Sequence, residues 1–553
     1  MESSGVASHA PGKREQIKTS VGAVAGQRRR KLAVTLGKER RDAVVRGKRI
    51  RRADTNDDSE FMELAEAAVD DENAYKQLEE EVSQAVQNLK LALSTSGKGA
   101  ATKKLEALRK LRQLLSFNSA PPIHVAVASG AVPILVDCLA FGSSEEQLLE
   151  AAWCLTNIAS GELDQTRAVL PAVPLLIAHL GERSAVHVAE QCAWAAGNIA
   201  GEGEDMREIL LSQGALLSLS RLIFSAVPSV ARTSCWAMSN LIKGPSARAA
   251  TELMSIKGIP ECLVQHLIKG DEALVAEVAW ILVYVTVLSD SCTAVLIHAG
   301  VLPPLFQWLA SSEQTTVLTP ILRTLGNIVS GENAKTDAVI LAGHNVSGGL
   351  CGALLRCLKA PHRNLQKEGA WVVSNIAAGS MEHKRMLFTS NLLDRLVHLL
   401  KAAAFDVKKE AAYALGNLCV TPKQAGTEPH PILEHLSSLV ARGCVKEFVN
   451  LVRLPDAEAS RLGIQFIELV MRSLPNGQGP KLVEIEDGIA ALETLQFHEN
   501  EELRNMATVL LDGYFGDDYG LEEEYGSKVV DGNAGGNDVS DYPSWRRKGT
   551  VGV

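Results

Sequence analysis

Apolar residues in the middle of the chain recur at intervals of three and four, which is the spacing of one face of an α-helix. After Pro133, for example, Ile134, Leu135, Cys138 and Leu139 fall on one such face. Short connections that contain glycine separate the apolar segments, at residues 129–133, 214–216, 257–260 and 300–303. Glycine readily ends a helix, and proline is tolerated in the first turn of the next one. No βαβ alternation appears, so the pattern predicts an all-α chain.

The helical pattern repeats with a nearly constant period. One position, called here the ladder position, recurs with spacings of 41, 42, 44, 43, 48 and 42 residues and is occupied in turn by Trp153, Trp194, Trp236, Trp280, Arg323, Trp371 and Tyr413. Periods of about 40–47 residues are typical of solenoids built from two or three helices per repeat. We expect about ten repeats between roughly residues 100 and 515. A single repeat cannot bury its apolar face, so the stacked repeats share one continuous core.

A tryptophan and an asparagine share one helix face in four repeats, because residues four apart lie side by side on a helix. The pairs are Trp153–Asn157, Trp194–Asn198, Trp236–Asn240 and Trp371–Asn375. A carboxamide carries donors and an acceptor, so it can pair with the N–H and C=O of an extended peptide. An indole face attracts a lysine or arginine whose stem lies along the ring.

Acidic residues lie beside the ladder position in several repeats. Glu202 follows Asn198 by four residues, and Glu277, Glu368 and Glu410 each precede the ladder residue of their repeat by three. Carboxylates at this spacing can reach the charged tips of basic side chains. The implied ligand is a stretched peptide rich in lysine and arginine. The alternatives are tryptophans that serve only the core, asparagines bonded to their own helical turn, and a solvated acidic face. We favour binding because core packing alone has no need of the asparagine.

Charge is distributed unevenly along the 553 residues, whose formal net charge is −9. Residues 13–52 contain 15 lysines and arginines against 3 acidic residues, a net charge of +12. Such a basic arm on an acidic body indicates an interaction segment. The alternative for the arm is nucleic-acid binding, which is disfavoured because no aromatic residue between Lys13 and Arg52 offers a stacking surface. The Gly- and Asp-rich segment from about residue 527 is predicted to be disordered.

Other functional classes find little support. No signal peptide is visible, and the longest apolar run, Val278 to Leu288, is too short to span a membrane and predicts a buried helix. The ten cysteines lack paired ligand spacing, so we interpret them as core residues in a reducing compartment and expect no zinc. No GxxxxGK[ST], GxSxG or HExxH motif occurs, and no cofactor is indicated. The chain is therefore not expected to be an enzyme.

The Trp-x-x-x-Asn series, together with residues 197–203 (GNIAGEG) and 497–501 (FHENE), resembles the importin alpha (karyopherin alpha) family, especially its divergent plant type. The resemblance extends from about Lys18 to Tyr525. It implies a right-handed superhelical solenoid of armadillo repeats that binds nuclear localisation signals in a concave groove and shuttles between cytoplasm and nucleus. The alternative is a general armadillo scaffold that is not specific for import signals.

The resemblance also implies two signal-peptide sites. The major site consists of Trp153, Asn157, Gly161, Thr166, Gln191, Trp194, Asn198, Glu202, Trp236, Asn240 and Glu277. The minor site consists of Arg323, Asn327, Glu368, Trp371, Asn375, Glu410, Tyr413 and Asn417. Three positions depart from the usual family pattern or interrupt the ladder. Glu202 replaces an aspartate, Tyr413 replaces a tryptophan, and Tyr284 follows Trp280 by four residues.

The basic arm resembles the segment that binds importin beta, through Arg28, Arg29, Arg30, Lys31, Lys38, Arg40 and Arg41. A second basic cluster resembles a cargo signal and predicts autoinhibition of the major site, through Lys48, Arg49, Arg51 and Arg52. The acidic segment from Asp512 to Glu524 implies an export receptor with Ran-GTP as a partner, the alternative being a solubilising tail. The expected divisions are 1–12 (disordered N-terminus), 13–60 (importin-beta-binding arm), 61–99 (linker and lead-in helix), 100–515 (repeats) and 516–553 (C-terminal tail).

Overall fold

The computed structural model describes residues 72–97, 99–116, 121–420 and 432–516. The basic arm, the predicted autoinhibitory cluster and most of the acidic C-terminal segment lie outside these residues. Contacts divide the chain into two compact units, residues 1–448 and 449–553. The described parts contain helices and no strand, which confirms the predicted all-α class.

Most repeats contain a short first helix, a second helix and a longer third helix. The helices that begin in the first unit are α1 Glu72–Ser94, α2 Ala100–Leu115, α3 Ile123–Ala128, α4 Ala131–Cys138, α5 Glu145–Ile158, α6 Leu163–Ala168, α7 Val173–Ala178, α8 Val186–Glu202, α9 Glu204–Ser212, α10 Ala215–Ile223, α11 Pro228–Leu241, α12 Arg248–Ser255, α13 Ile259–Lys269, α14 Glu272–Leu288, α15 Asp290–His298, α16 Leu302–Ser311, α17 Thr315–Val329, α18 Asn333–Gly343, α19 Gly349–Lys359, α20 Arg363–Ala377, α21 Met381–Phe388, α22 Leu392–Ala402, α23 Phe405–Leu418, α24 Ile432–Ala441 and α25 Cys444–Val452. A 3-10 turn, Leu170–Ala172, precedes α7.

The second unit contains α26 Ala457–Ser473, α27 Gln478–Ile485, α28 Gly488–Leu495 and α29 Glu501–Tyr514. Its two longer helices, α26 and α29, pack against each other. Phe466 and Ile467 of α26 are completely buried in this unit. An ion pair joins the two helices, because Nε of Arg461 lies 3.0 Å from Oε1 of Glu502.

Seven third helices, α5, α8, α11, α14, α17, α20 and α23, carry the ladder positions, and α2 is the corresponding helix before them; we call all eight the ladder helices. From α2 to α20, each packs against the ladder helix of the next repeat. From α5 onward, each also packs against the second helix of its own repeat (α4, α7, α10, α13, α16, α19 or α22). A ladder helix therefore has neighbours on both flanks and one behind it. We call the side opposite the second helices the ladder surface.

The glycine connections predicted from the sequence start the second helices. Gly130, Gly214 and Gly258 have φ of 82°, 82° and 86° and immediately precede α4, α10 and α13. Residues with a Cβ rarely adopt this left-handed conformation, so glycine is the residue that this sharp connection requires. The apolar run from Val278 to Leu288 lies in α14, where residues 278–286 are buried, as predicted.

The cysteines are free thiols, eight buried and two, Cys262 and Cys351, half-buried. The interpretation as core residues is thus correct for eight. Burial raises the pKa of Cys357 to about 11, which keeps that thiol protonated near neutrality. In the described ranges, no group of histidine, cysteine, aspartate and glutamate is placed to hold a metal ion. No single described helix combines the length and apolarity needed to cross a membrane; one pair bent by 80°, α15 with α16, meets those criteria jointly.

Candidate peptide-binding surface on the ladder helices

The aromatic side chains of the ladder positions follow one another along the ladder helices and are well enclosed. Trp153 and Trp194 are half-buried, whereas Trp236, Trp280, Trp371 and Tyr413 are buried. The rings of Trp194 and Trp236 meet edge to face, with centroids 6.4 Å apart and an interplanar angle of 73°. Trp280 is close to Tyr284 of its own helix, with ring centroids 6.1 Å apart.

Small residues in the preceding ladder helix make room for the indoles. A Cβ placed on Gly197 would lie 2.3 Å from Cζ3 of Trp236, and a Cβ on Gly326 would lie 2.1 Å from Cζ3 of Trp371. Both glycines immediately precede the asparagine that follows a ladder position by four residues, which we call a ladder asparagine. The close approach of ring to backbone therefore fixes where each of these indoles sits.

Each ladder asparagine ties its helix to the preceding one. In five of the six asparagines, Nδ2 donates to a backbone carbonyl of the preceding ladder helix. The residue that carries this carbonyl comes just before the position that is equivalent to the asparagine in that helix. The pairs are Asn198 to Thr156 (3.0 Å), Asn240 to Gly197 (3.2 Å), Asn327 to Val283 (3.1 Å), Asn375 to Gly326 (3.0 Å) and Asn417 to Ser374 (2.9 Å). Asn157 instead donates to the hydroxyl of Ser116, 3.0 Å away.

These hydrogen bonds correct one premise of the sequence interpretation. The stack of repeats does use the asparagine, so the residue is not explained by binding alone. The bond to the preceding helix uses Nδ2 as donor and does not involve Oδ1, which is the acceptor of the amide. Among the described residues, Oδ1 of Asn198 and Oδ1 of Asn417 are buried without any hydrogen-bond donor. A buried acceptor without a donor costs about 1–3 kcal/mol.

The remaining residues of the major site differ in exposure. Thr166 is completely buried and its hydroxyl donates to the carbonyl of Ala159, and its place in the site stays a prediction. Gly161 lies in the turn before α6, close to the side chain of Gln165. Gln191 is buried in α8, and within the described chain its Nε2 has no acceptor.

The carboxylates of the major site lie at two depths. Glu202 is half-buried at the C-terminal end of α8. Glu277 is buried in α14, three residues before Trp280. Both remain candidates for contacts with basic side chains.

The minor site contains an internal ion pair. Nη2 of Arg323 lies 2.8 Å from Oε1 of Glu368, and both side chains are about 10% exposed. The same guanidinium lies over Trp280, 5.6 Å from the ring centroid. Oε1 of Glu368 accepts from this arginine, and the contact of Glu368 with ligand cations stays a prediction.

Sequence reasoning missed a similar arrangement at the start of the ladder. Cζ of Arg112 lies 4.6 Å from the ring centroid of Trp153, and Nε of Arg112 lies 2.8 Å from Oε2 of Glu150. The signal was present in the sequence. Arg112 precedes Trp153 by the repeat period of 41 residues, and Glu150 precedes Trp153 by three.

Buried cations join the C-terminal ends of successive ladder helices. Nζ of Lys384 donates to the carbonyls of Ala377 and Asn417, at the ends of α20 and α23. Arg207 donates in the same way to Ala200 and Gly244, and burial lowers the pKa of its guanidinium. Cations at these ends are favoured because the last carbonyls of a helix carry partial negative charge.

The stacked ladder helices define an armadillo repeat protein. The family model of the armadillo/beta-catenin-like repeat matches residues 118–160, 203–243 and 380–420. A crystal structure of an engineered protein superposes with a TM-score of 0.66 at 25% identity, covering 79% of this chain and 99% of that one. The predicted armadillo fold is therefore confirmed.

Within that class the chain belongs to the importin alpha family. It is 53% identical to importin subunit alpha-9 of Arabidopsis thaliana, over 93% of this chain and 99% of the relative. It is 51% identical to importin subunit alpha-2 of Oryza sativa subsp. japonica, over 92% and 96%. The predicted family is confirmed, and membership supports a general role as an adaptor in nuclear import.

Proposed function

We propose that the ladder surface binds extended, Lys/Arg-rich nuclear localisation signals of cargo proteins. The observation that carries this proposal is the contact of Arg112 with the Trp153 indole and the Glu150 carboxylate, in which a cation is held by an indole and a glutamate of one ladder helix. An indole recurs at the same position of α8, α11 and α20, so this contact can repeat along an extended basic peptide.

The protein's own arginines provide a model for the side-chain contacts. Arg112 and Arg323 each combine an indole face with a glutamate three residues before the next ladder position. A lysine or arginine of a bound signal would meet the same chemistry at Glu277 and Glu410, which hold the equivalent position. Charge-assisted hydrogen bonds of this kind contribute about 1.5–3 kcal/mol each.

Two stretches of the ladder would serve as separate sites. The major site is centred on Trp194, Asn198, Trp236 and Asn240, and the minor site on Trp371, Asn375, Tyr413 and Asn417. The break between them coincides with Trp280, which is followed after four residues by Tyr284 and not by an asparagine. This division supports two basic clusters of one cargo, or one cluster at either site.

Replacing Asn198 and Asn240 together by alanine is expected to weaken binding of a labelled lysine-rich signal peptide by at least about tenfold, or 1.4 kcal/mol. The paired control is Asn375→Ala with Asn417→Ala, which removes the same two ties between repeats at the minor site. Fluorescence anisotropy measures both, and thermal unfolding shows whether each variant is folded. Unchanged affinity in both folded variants would favour the alternative, an armadillo scaffold that does not read import signals.

The basic arm is proposed to link cargo to importin beta through residues 28–31 and 38–41. Its interruptions at Gly37 and Gly47 weaken a helix by about 1 kcal/mol each, so the arm would fold on its acidic partner. The acidic segment after α29 is proposed to meet an export receptor with Ran-GTP. Together these contacts would make the protein shuttle between cytoplasm and nucleus.

Removing residues 1–52 is expected to tighten the binding of signal peptides. The cluster Lys48–Arg52 precedes the repeats by a few tens of residues, and a tether of that length gives an effective concentration of about 1 mM. The cluster would therefore compete for the major site when importin beta is absent. Anisotropy titrations of the full chain and of the shortened chain measure the difference, and equal affinities would rule out autoinhibition by this segment.

A further inference from the structure

Arginine occurs twice at the ladder position of the first unit, and both times it pairs with a glutamate of the following ladder helix, although Arg112 lies over the indole of the following ladder position and Arg323 over that of the preceding one. Arg112 stands 41 residues before Trp153, just as Trp153 stands 41 residues before Trp194. Like Arg323, Arg112 lies over an indole and pairs with a glutamate of the following ladder helix. The combination of indole and glutamate is the cation slot that the proposed function assigns to bound signals.

The slot at Trp153 is filled tightly by the protein itself. The side chains of Arg112 and Glu150 are only 13% and 12% exposed, and Nε to Oε2 is 2.8 Å. The end of α2 is further held by Ser116, whose hydroxyl donates to the carbonyl of Arg112 at 2.7 Å and accepts from Asn157. An arginine on a helix held in this way loses little conformational freedom when it pairs with Glu150. A lysine of a bound peptide would have to displace this arginine and would lose its own side-chain conformational freedom.

We infer that Arg112 is a specificity-determining residue that closes the row of cation slots at Trp153 and thereby limits how long a basic run the ladder surface reads. The inference rests on the proposed function, since it concerns the same surface. Neighbouring packed helices are about 8–10 Å apart, and alternate side chains of an extended strand are about 7 Å apart. One slot therefore corresponds to about two residues of the bound signal. Basic residues beyond the slot between Trp153 and Trp194 gain only the weak attraction of the surface.

The test is a length series of lysine blocks in alanine–glycine peptides of constant length, titrated against the full chain by anisotropy. Blocks are extended toward either end so that peptide direction need not be assumed. For the unaltered protein, affinity should stop rising once the slots are filled. Arg112→Gln removes the cation that pairs with Glu150 and lies over Trp153, so two further lysines at one end should improve affinity about fivefold.

Two variants serve as controls. Arg112→Lys keeps a cation in the slot and should retain the original limit. Arg109 is also paired with Glu150, at 3.8 Å, but its side chain is 51% exposed, so Arg109→Gln removes the same charge without opening the slot. Thermal unfolding shows whether each variant is folded.

Two outcomes would overturn the inference: an unchanged limit in folded Arg112→Gln, or an equal shift in Arg109→Gln, which would indicate a general charge effect. Failure of the proposed function looks different. In that case no lysine block would bind the unaltered chain with measurable affinity, whatever residue stands at position 112.

Discussion

Gly197→Ala is expected to destabilise the protein by about 2 kcal/mol, although alanine normally strengthens a helix relative to glycine by about 1 kcal/mol. The added Cβ would lie 2.3 Å and 2.8 Å from two ring carbons of Trp236 and 3.0 Å from Cα of Ala237. An indole cannot bend away, and a backbone atom moves only with its helix. The substitution must therefore push α8 and α11 apart or displace the indole.

Peptide binding should fall with stability in this variant. Asn240 donates to the carbonyl of Gly197 itself, so a shift of the backbone here also weakens the tie between the two helices. We expect at least a tenfold loss of affinity for a lysine-rich peptide. Urea unfolding measures the stability change, and anisotropy measures binding.

The matched control is Gly513→Ala in α29, where a Cβ would meet nothing within 4 Å. That substitution should stabilise the protein or leave its stability unchanged, because only the helix preference of alanine over glycine differs at this position. Should Gly197→Ala prove as stable as the unaltered chain and bind peptide normally, the close packing of Trp236 on α8 would not be a feature of the protein in solution.

The period of the ladder position was sufficient to predict the fold, because each repeat needs its neighbours in order to bury its apolar face. Trp153 and Trp194 alone give the period, and glycines such as Gly214 mark the same phase. The direction in which each polar side chain points was harder to predict. Thr166 follows the turn at Gly161, and only the structure shows that its hydroxyl points back to the end of α5.

The aromatic pattern concealed part of the candidate site. A search for tryptophan at the ladder position overlooks Arg112, which completes the series one period earlier, and with it Glu150. Likewise, Asn198 has the same sequence signature whether it ties helices together or binds a ligand. In the structure Nδ2 of Asn198 ties the helices together and Oδ1 has no donor among the described residues, whereas ligand binding by this side chain is proposed. A sequence pattern cannot separate two roles carried by different atoms of one side chain.

Lys384→Met is expected to destabilise the first unit by about 3 kcal/mol, because it removes a buried cation from two carbonyls. Those carbonyls belong to Ala377 and Asn417, which end or nearly end α20 and α23, so the variant should also loosen the minor site. Methionine nearly preserves the volume of the side chain, which limits the effect of a cavity. The control is Lys359→Met, at an exposed position of α19, for which the change should stay within about 0.5 kcal/mol.

The same variant should change how stability depends on pH. His435 is buried, stacks on Phe388 and is hydrogen-bonded through Nδ1 to the carbonyl of Leu418. Burial, and to a lesser degree Lys384 and Arg385, lower its pKa below the ordinary 6.5, against the opposing effects of the Leu418 carbonyl and Glu434. The folded chain then binds fewer protons than the unfolded chain, so stability is complete above the ordinary pKa and falls as pH drops through the lowered value.

Without the charge of Lys384, the pKa of His435 should move back toward its ordinary value. The loss of stability between about pH 7.5 and about pH 5 should therefore be smaller in Lys384→Met than in the unaltered chain. Urea unfolding at the two pH values measures this difference, and His435→Gln should remove the contribution of the histidine in both backgrounds. An equal pH dependence with and without Lys384 would mean that Lys384 does not contribute to the pKa of His435 and that the two side chains do not interact across the end of α23.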